Sequence, residues 1–392
     1  MTQPLAGTVV LDFTQVMMGP IATQALGDYG ADVIKVERPG VGDLSRRGVL
    51  AHQGMDNPVF LALNRNKRGI ALDLSTEAGR EVAESLIARA DVVVSNFRPG
   101  VMERLGLGYD DARRINPRII WASGSGFGPT GPYAHKGGQD VLGQAYSGVM
   151  KRTPDPDAPV SVYATAIADY TAGQHLVQGI LLALLHRERT GEGQKVEVSL
   201  YNSMLAMQAQ EATARLMYDV ELNWAMMPLT GCFATGDSEV VIIGAFKENP
   251  LQRICAALEL PDLSDDPRFA ELEDQRENRV ELRAIIAARL RERTTAHWLA
   301  ALEGQDVLCG PVLTLAEALA SEQTEVNRML LEFPDAEGRV IRTIASPILM
   351  SNSTPDVRVV PPRLGQHSEQ VLSESGYSDE QIRRLIADGI VQ

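Results

Sequence analysis

The chain has 392 residues, 44% of them hydrophobic and 22% charged, which is typical of a globular protein with two or three domains. Its formal net charge of −14 lies entirely in residues 121–392, because residues 1–120 are neutral. This acidity argues against nucleic acid as a partner. No apolar run reaches the roughly 18 residues of a membrane span, no signal peptide is visible, and the three cysteines form no metal pattern. We therefore expect a cytoplasmic protein with no membrane or metal partner.

Apolar strands and helical segments alternate through the first half of the chain. Pro20 suits the first turn of the helix that follows the first strand. The predicted strands cover residues 8–13, 32–37, 69–74, 91–97, 118–123 and 194–200, with helices at about 20–30 and 75–90. Repeated strand–helix–strand units of this length predict an α/β fold with a parallel, doubly wound sheet.

Local groups of basic residues stand out in the neutral first third of the chain. They are Arg46 with Arg47, the run Arg-Asn-Lys-Arg at 65–68, and Arg98 with Arg104. Any one of these residues is typical of solvated surface. Taken together, they have the charge to hold an anionic ligand with phosphates.

A glycine-rich segment follows the strand at 118–123. Residues 126–131 read Gly-Phe-Gly-Pro-Thr-Gly and fit the pattern of a dinucleotide-binding turn. A helix must open within such a turn, but Pro129 and Pro132 interrupt the segment. We interpret it as a flexible loop at the carboxyl end of a parallel strand, which is where such sheets bind ligands.

Asp169 stands at the start of a long apolar helical pattern that ends at Gly191. The unpaired N–H groups and the positive dipole end of a helix N-terminus are expected to keep its carboxylate ionised. An ionised aspartate in this position can be a structural cap, a general base or a covalent nucleophile. The residues around Asp169 by themselves favour the structural cap over the two chemical roles, and the rest of the chain reverses that order.

The second half of the chain has a different pattern. A β-hairpin is predicted at 229–244, followed by helices at 249–259, 277–292 and 296–303. These elements indicate a smaller α+β domain. The segment 338–366 carries several prolines and is predicted to be poor in strands, and a last helix is predicted at 378–388.

Six sequence segments carry a resemblance to class III coenzyme A transferases. They are LDFTQVMMGP (11–20), GADVIKVERPG (30–40), NRNKRGIALDL (64–74), NFRPG (96–100), TGEGQKV (190–196) and PRLGQH (362–367). This family includes formyl-CoA and carnitine CoA-transferases and the α-methylacyl-CoA racemases. The resemblance implies an interlocked homodimer. It also implies a large Rossmann-like CoA-binding domain at 1–215, completed by 330–392, and a small domain at 225–325.

The resemblance also implies a role for Asp169. In the transferases the matching aspartate attacks the donor thioester, forms a mixed anhydride and releases CoA thiolate, so that CoA moves to a free carboxylic acid. The partners are then a small-molecule acyl-CoA and a carboxylic acid, with coenzyme A as a substrate. The oxyanion that forms needs backbone donors, for which residues 124–131 and the pair Gly244-Ala245 are candidates.

The CoA contacts of the family carry over by position. Val16 and Met17 match residues beside the pantetheine and thioester, and Arg38 and Arg104 match residues at the adenosine and phosphates. The adenine and ribose pocket is matched by Leu72, Asp73, Leu74, Ser75, Asn96 and Phe97, and Lys136 and Asp140 are assigned to the same CoA site. Family transferases often carry a lysine where this chain has Ser75, so one phosphate contact is absent.

Two alternative functions and one open question follow from these assignments. A racemase of this family uses the histidine of a Gly-His-Asp segment, whereas this chain has Gly138-Gln139-Asp140, with His135 nearby. A non-catalytic acyl-CoA-binding or dinucleotide-binding protein would need no carboxylate at 169.

The identity of the acceptor acid is open. Four cations, Arg46, Arg47, Lys151 and Arg152, could pair with a second carboxylate of a dicarboxylic acid.

Overall fold

The computed structural model describes residues 3–48, 56–153, 159–244, 246–335 and 337–392. The chain divides into two compact units. The first comprises Met1–Met150, Ser161–Ala209 and Glu325–Gln392, and the second comprises Lys151–Val160 and Gln210–Thr324. Within the described residues, no helix has both the length and the apolar character needed to cross a membrane.

Strands and helices alternate up to residue 199. In chain order they are β1 (Val9–Asp12), α1 (Met18–Asp28), β2 (Asp32–Glu37), α2 (Pro58–Leu63), β3 (Lys67–Ala71), α3 (Glu77–Ile87), β4 (Val92–Ser95), α4 (Val101–Arg104), α5 (Tyr109–Ile115), β5 (Ile120–Ser125), α6 (Asp140–Tyr146), α7 (Ile167–Thr190) and β6 (Lys195–Ser199). All six predicted strands are confirmed. The third begins two residues earlier than predicted, because Lys67 and Arg68 extend it with charged side chains that an apolar pattern does not detect.

The rest of the chain is mostly helical, with short antiparallel strands. Its elements are α8 (Leu200–Met207), α9 (Ala209–Tyr218), β7 (Thr230–Ala234), β8 (Glu239–Ile243), α10 (Pro250–Ala257), α11 (Leu272–Glu277), α12 (Arg279–Leu290), α13 (Thr295–Gly304), β9 (Leu308–Pro311), α14 (Leu315–Leu319), α15 (Glu322–Val326), β10 (Leu330–Pro334), β11 (Val340–Ile344), α16 (Ser368–Glu374) and α17 (Asp379–Ala387). The predicted hairpin at 229–244 and the four predicted helices are confirmed.

The large sheet has six parallel strands in the order β3-β2-β1-β4-β5-β6. Leu11 pairs with Ile34 on one side and with Val93 on the other, and all three are buried. Helices cover both faces, which explains why the central strands are continuous apolar runs. The strand order reverses between β1 and β4, and a doubly wound sheet binds its ligands in the crevice at that point.

Two small antiparallel sheets complete the fold. The second unit contains the sheet β7-β8-β9, packed on an apolar core that includes Phe233, Ile254 and Trp298. In the first unit, β10 and β11 form a hairpin with Phe333 opposite Ile341. The prediction that 338–366 is poor in strands is therefore wrong for residues 340–344. The single buried side chain of β11, Ile341, leaves too weak an alternation to be recognised in the sequence.

Four charged side chains, those of Asp12, Lys35, Asp43 and Lys67, are fully buried beneath the loop that follows β1. Lys67 Nζ lies 3.1 Å from Asp12 and Lys35 Nζ lies 2.8 Å from Asp43. Burial alone would raise the pKa of Asp12, but attraction to Lys67 and Lys35 overcomes it and lowers that pKa. Burial also lowers the pKa of Lys67 to about 8. Each buried charge is therefore supported by an opposite one.

We expect Asp12→Ala to lower the free energy of unfolding by about 3–5 kcal/mol, because it leaves a buried lysine without its partner. Urea denaturation followed by circular dichroism, at one fixed protein concentration, measures this change. The matched control is Glu332→Ala, which removes the partner of Arg342 in an exposed ion pair and should cost less than about 1 kcal/mol. Equal losses in the two variants would contradict a structural role for the buried network.

Candidate active site

Two loops meet at the point where the sheet order reverses. One follows β1 and carries Gln15, and the other follows β4 and carries Asn96. The Gln15 N–H donates to Asn96 Oδ1 at 2.8 Å, and Asn96 Nδ2 donates to the Gln15 carbonyl at 2.7 Å. This reciprocal pair of hydrogen bonds fixes the two loops against each other across the crevice.

Val16 has a backbone conformation that is rare for its residue type. Its φ is 64°, in the left-handed region, where a β-branched side chain is strained. The Val16 N–H donates to Asp43 Oδ1 at 3.0 Å, and Ser45 donates to the same oxygen from both its N–H and its hydroxyl. Burial opposes ionisation of Asp43, but Lys35 and these donors lower its pKa to about 2. A buried carboxylate thus holds Val16 in its strained conformation.

A cavity of about 590 Å³ opens beside these loops. Six residues that the sequence assigned to the site line it: Val16, Met17, Asn96, Phe97, Lys136 and Asp169. An adjoining cavity of about 500 Å³ shares Gln15, Leu44 and Phe97 with the first. Five further assigned residues line that second cavity: Arg38, Leu72, Asp73, Leu74 and Ser75. The fold therefore gathers eleven of the assigned residues, far apart in sequence, around two joined cavities.

Asp169 lies in the first turn of α7, as predicted, but the helix N-terminus does not lower the pKa of its carboxyl group. Burial and the nearby charge of Asp140 raise its pKa to about 7. The expectation of stabilisation by the helix N-terminus is wrong because Asp140 occupies the donors there. Asp140 Oδ1 accepts from the N–H of Ala168 at 2.7 Å and from that of Asp169 at 3.0 Å.

Asp140 is buried, and its carboxylate is fully used in organising the entry to α7. Its Oδ2 accepts from Gln144 Nε2 at 2.6 Å, while Gln144 Oε1 accepts from the Tyr163 N–H at 3.0 Å. Among the described residues that line the two cavities, Asp140 is not found; its contacts are those of a helix cap, and its assignment to CoA binding stays a prediction. The two aspartates nevertheless act on each other through their charges.

Arg104 and most of the basic groups are placed outside the two cavities. Arg104 is exposed on α4. Arg46 pairs with Glu37 at 2.6 Å, Arg65 with Asp28 at 2.5 Å and Arg68 with Asp32 at 2.6 Å. The prediction that these three arginines hold phosphates therefore loses support, because their charges are neutralised by carboxylates of the fold.

The proposed contacts of Arg46, Arg47, Lys151 and Arg152 with an acceptor acid also lose support. Arg47 donates to the Gly40 carbonyl at 2.9 Å, and Arg152, in the second unit, pairs with Glu221 at 2.9 Å. Lys151 also belongs to the second unit, and its side chain is exposed.

Glycines bring two loops of the first cavity into close contact. A Cβ on Gly138 would lie 2.5 Å from the Cα of Gly126, so these positions require glycine. The segment 126–139 contains no helix, which confirms the interpretation of the glycine motif as a loop.

Within the described part of the chain, the N–H groups of Gly137 and Gly138 have no acceptor, which leaves them as candidate oxyanion donors. Gly137 and Gly138 lie outside the two segments predicted from the sequence. In the first of those segments the Gly128 N–H donates to Ser125 Oγ at 3.0 Å, and in the second Gly244 donates to the Leu229 carbonyl at 3.0 Å, while Ala245 lies outside the described residues.

Several cavity residues are not among the CoA contacts carried over from the family by position. Arg98 lines the first cavity with Gly137, and Gln15 lines both cavities. Arg98 and Gln15 lie inside the family-like segments NFRPG and LDFTQVMMGP, and these segments are the sequence signal from which both residues could have been identified. In the described ranges, no three or more His, Cys, Asp or Glu side chains are grouped to hold a metal ion.

Comparison with known proteins shows the family to which the chain is similar over nearly its whole length. Residues 5–368 match the family CoA-transferase family III. The chain is 34% identical to the succinyl-CoA:glutarate CoA-transferase of Mus musculus, over 100% of this chain and 91% of that protein. It is also 34% identical to the formyl-CoA:oxalate CoA-transferase of Escherichia coli O157:H7, over 98% and 99%. The crystal structure of a CaiB/BaiF family protein from Brucella suis superimposes with a TM-score of 0.84, at 32% identity, covering 96% of this chain and 100% of that one.

We expect Asp140→Asn to lower the pKa of Asp169 by about one unit, because asparagine keeps an oxygen for the α7 amides but removes the neighbouring negative charge. Carbodiimides react with protonated carboxyl groups, so labelling of the Asp169 peptide, read by mass spectrometry across pH, reports this pKa. In the wild type, labelling should fall as the pH rises through about 7; in the variant the fall should occur at lower pH. Asp73→Asn, in the adjoining cavity, is the control and should leave the midpoint in place. An unchanged midpoint in Asp140→Asn would refute the electrostatic coupling.

Proposed function

The chain belongs to CoA-transferase family III and is a class III CoA-transferase, and we propose that it works through covalent intermediates on Asp169. The observation that carries the proposal is the position of this carboxylate. Asp169 lines a cavity at the sheet's switch point, and its pKa of about 7 exceeds that of an ordinary aspartate. A carboxylate with a raised pKa is more basic and a better nucleophile when ionised.

The proposed reaction has four balanced steps. The ionised Asp169 attacks the acyl carbonyl of the donor thioester, and the C–S bond breaks to give a mixed anhydride and CoA thiolate. The thiolate then attacks the aspartyl carbonyl, releasing the donor as a free carboxylate and leaving an aspartyl–CoA thioester. The acceptor carboxylate displaces the thiolate to form a second anhydride. Finally the thiolate attacks the acceptor carbonyl, which yields the new acyl-CoA and restores Asp169. The anhydride is as activated as a thioester, so little energy is lost between steps.

The two joined cavities suit the two ends of an acyl-CoA. We assign the nucleotide end to the cavity lined by Arg38 and by residues 72–75, and the thioester end to the cavity that contains Asp169. Phe97 and Gln15 line both, so a ligand that passes between the cavities contacts them along its length. Val16 and Met17 then lie beside the reacting end, as assigned from the sequence.

The acceptor class follows from the relatives. Those from Mus musculus and Escherichia coli are named for glutarate and for oxalate, which are both dicarboxylic acids. We propose that a short dicarboxylic acid is the acceptor here as well. The racemase alternative lacks its histidine, because the cavity presents Gln139 at the matching position and an amide cannot take up a proton near neutral pH.

We expect Asp169→Asn to lower the rate of CoA transfer by at least about 1000-fold, since an amide cannot form the anhydride. Binding of CoA should change little, because asparagine has nearly the same shape. Transfer is measured by mass spectrometry of the CoA products, and binding by calorimetry. Incubation of the wild type with acyl-CoA and hydroxylamine should convert Asp169 into a hydroxamate that peptide mass spectrometry detects.

The control for the trapping experiment is the same incubation without acyl-CoA, which should leave Asp169 unmodified. Substantial turnover by Asp169→Asn would exclude the covalent mechanism. Rapid exchange of solvent deuterium into the α-carbon of a branched acyl-CoA, without any acceptor acid, would instead favour the racemase alternative.

We also propose that the chain forms an interlocked homodimer. Large apolar side chains are exposed on two helices of the single chain: Leu182 on α7 is 67% exposed, and Leu216 and Tyr218 on α9 are 84% and 74% exposed. Exposed apolar side chains in such numbers are typical of surfaces that a partner covers. A second copy of the chain is the partner that the family resemblance implies.

Interlocked chains separate only when they unfold, so we expect light scattering to show a dimer at every dilution short of denaturation. The dimer mass should persist until urea abolishes the circular dichroism signal. A reversible monomer–dimer equilibrium of folded chains would contradict interlocking.

A further inference from the structure

The segment 390–392 pairs with the chain just beyond β3, at the edge of the large sheet. The Asp73 N–H donates to the Ile390 carbonyl at 2.9 Å, and Leu72 forms an antiparallel bridge with Val391. Leu72 and Val391 are both almost fully buried and belong to the same apolar core. The segment therefore supports the start of the loop after β3 from the side that faces away from β2.

The supported loop forms one wall of the smaller of the two joined cavities, whose volume is about 500 Å³. This loop contributes residues 72–75, and the loop after β2 contributes Arg38 and Val41 to the opposite wall. Hydrogen bonds from Ser75 and the charge of Arg38 lower the pKa of Asp73, so the two loops are close enough for their charges to interact. The width of the cavity is thus the distance between these two loops.

Gln392 forms hydrogen bonds with both loops. Its N–H donates to the Ala71 carbonyl at 3.1 Å, where the loop after β3 begins, and its side-chain Oε1 accepts from the Gly40 N–H at 2.7 Å. Gly40 lies in the loop after β2, where the Gly42 N–H donates to the Arg38 carbonyl at 2.9 Å. The bond to the Arg38 carbonyl sets the shape of that loop, whereas the bond from Gly40 to Gln392 sets its position relative to the neighbouring loop.

The backbone of Gln392 is itself anchored in the fold. Its main-chain oxygen accepts from Ser368 Oγ at 2.5 Å, and Ser368 Oγ accepts from the Ala71 N–H at 3.2 Å. Ser368 is buried. The same main-chain oxygen leaves no room for a Cβ on Gly365, whose φ of 70° also favours glycine. The Gln392 amide therefore extends toward Gly40 from a backbone that is held in place.

We propose that Gln392 is a positioning residue for the nucleotide end of the acyl-CoA substrate. Among the described residues that line the cavity, Gln392 is not found, so it acts through Gly40, by holding the loop that carries Arg38 opposite residues 72–75. A guanidinium binds phosphate through charge-assisted hydrogen bonds, whose strength depends on its position. This inference rests on the proposed function, which assigns the nucleotide to this cavity.

The test compares two donors, an acyl-CoA and the matching acyl-pantetheine, which lacks the nucleotide. Gln392→Met keeps the length of the side chain and removes the oxygen that accepts from Gly40. We expect it to raise the KM of the acyl-CoA about three- to fivefold with kcat nearly unchanged, as for the loss of one hydrogen bond. The KM of the acyl-pantetheine should stay at the wild-type value, because that donor does not reach the cavity.

Gln370→Met is the matched control. Gln370 is exposed and donates to Glu374 at 2.9 Å within α16, so its replacement should leave both KM values unchanged. A double variant tests whether Gln392 acts through Arg38: Gln392→Met should have no further effect in an Arg38→Met background.

Three results would overturn the positioning role of Gln392. The first is an unchanged KM for acyl-CoA in Gln392→Met when Arg38→Met raises that KM, which would leave the assignment of the nucleotide cavity intact. The second is an equal rise of KM for both donors, or a fall in kcat, either of which indicates a general structural effect. The third is a wild-type KM in Arg38→Met, which would refute the assignment of the nucleotide to this cavity and the positioning role with it.

Discussion

The buried pairing of Asp12 with Lys67 and of Lys35 with Asp43 is the constraint on which the site depends. Lys35 Nζ also donates to the Thr14 carbonyl at 2.8 Å, which ties the charges directly to the loop after β1. Asp43 then accepts from the Val16 N–H and compensates for its strained backbone. Charges buried this deeply are costly unless each finds a partner, so the network has one favourable arrangement. That arrangement fixes the loop at the switch point of the sheet and, through Gln15 and Asn96, the loop across the crevice.

A second pair of charged groups near the site consists of like charges instead of opposite ones. Asp140 and Asp169 are two carboxylates at one helix N-terminus, and only Asp140 receives the backbone hydrogen bonds. The helix thus stabilises the charge that organises its entry and leaves the other carboxyl group half-buried with a raised pKa. Environments that drive the pKa values of two carboxyl groups apart are typical of sites where one group is structural and the other reacts. In this fold the same structural carboxylate both positions Asp169 and raises its pKa.

The cations of the first cavity are held differently from those in the body of the fold. Cations in the body of the fold are neutralised, as for Arg65 with Asp28, and stabilise packing. Arg98 and Lys136 are instead held by glycine backbone and by aromatic rings, which position a cation without cancelling its charge. A cavity with one carboxyl group and two uncancelled cations favours an anionic ligand over a neutral one. This is consistent with a substrate that carries phosphates or carboxylates.

The sequence by itself determined the parallel sheet, because six apolar strands separated by helices allow few other folds. It also determined the family and part of the cavity lining, because the motifs at 11–20, 64–74 and 96–100 keep recognisable residue types. It did not show that Arg46, Arg65 and Lys67 are buried, since their carboxylate partners lie on other strands and helices. The ionisation of Asp169 was likewise decided only by tertiary structure. A helix start predicts a lowered pKa from local donors, but residue 140, far away in sequence, takes those donors and adds a like charge. Local pattern specifies strands and helices, whereas charge depends on neighbours that only the folded chain brings together.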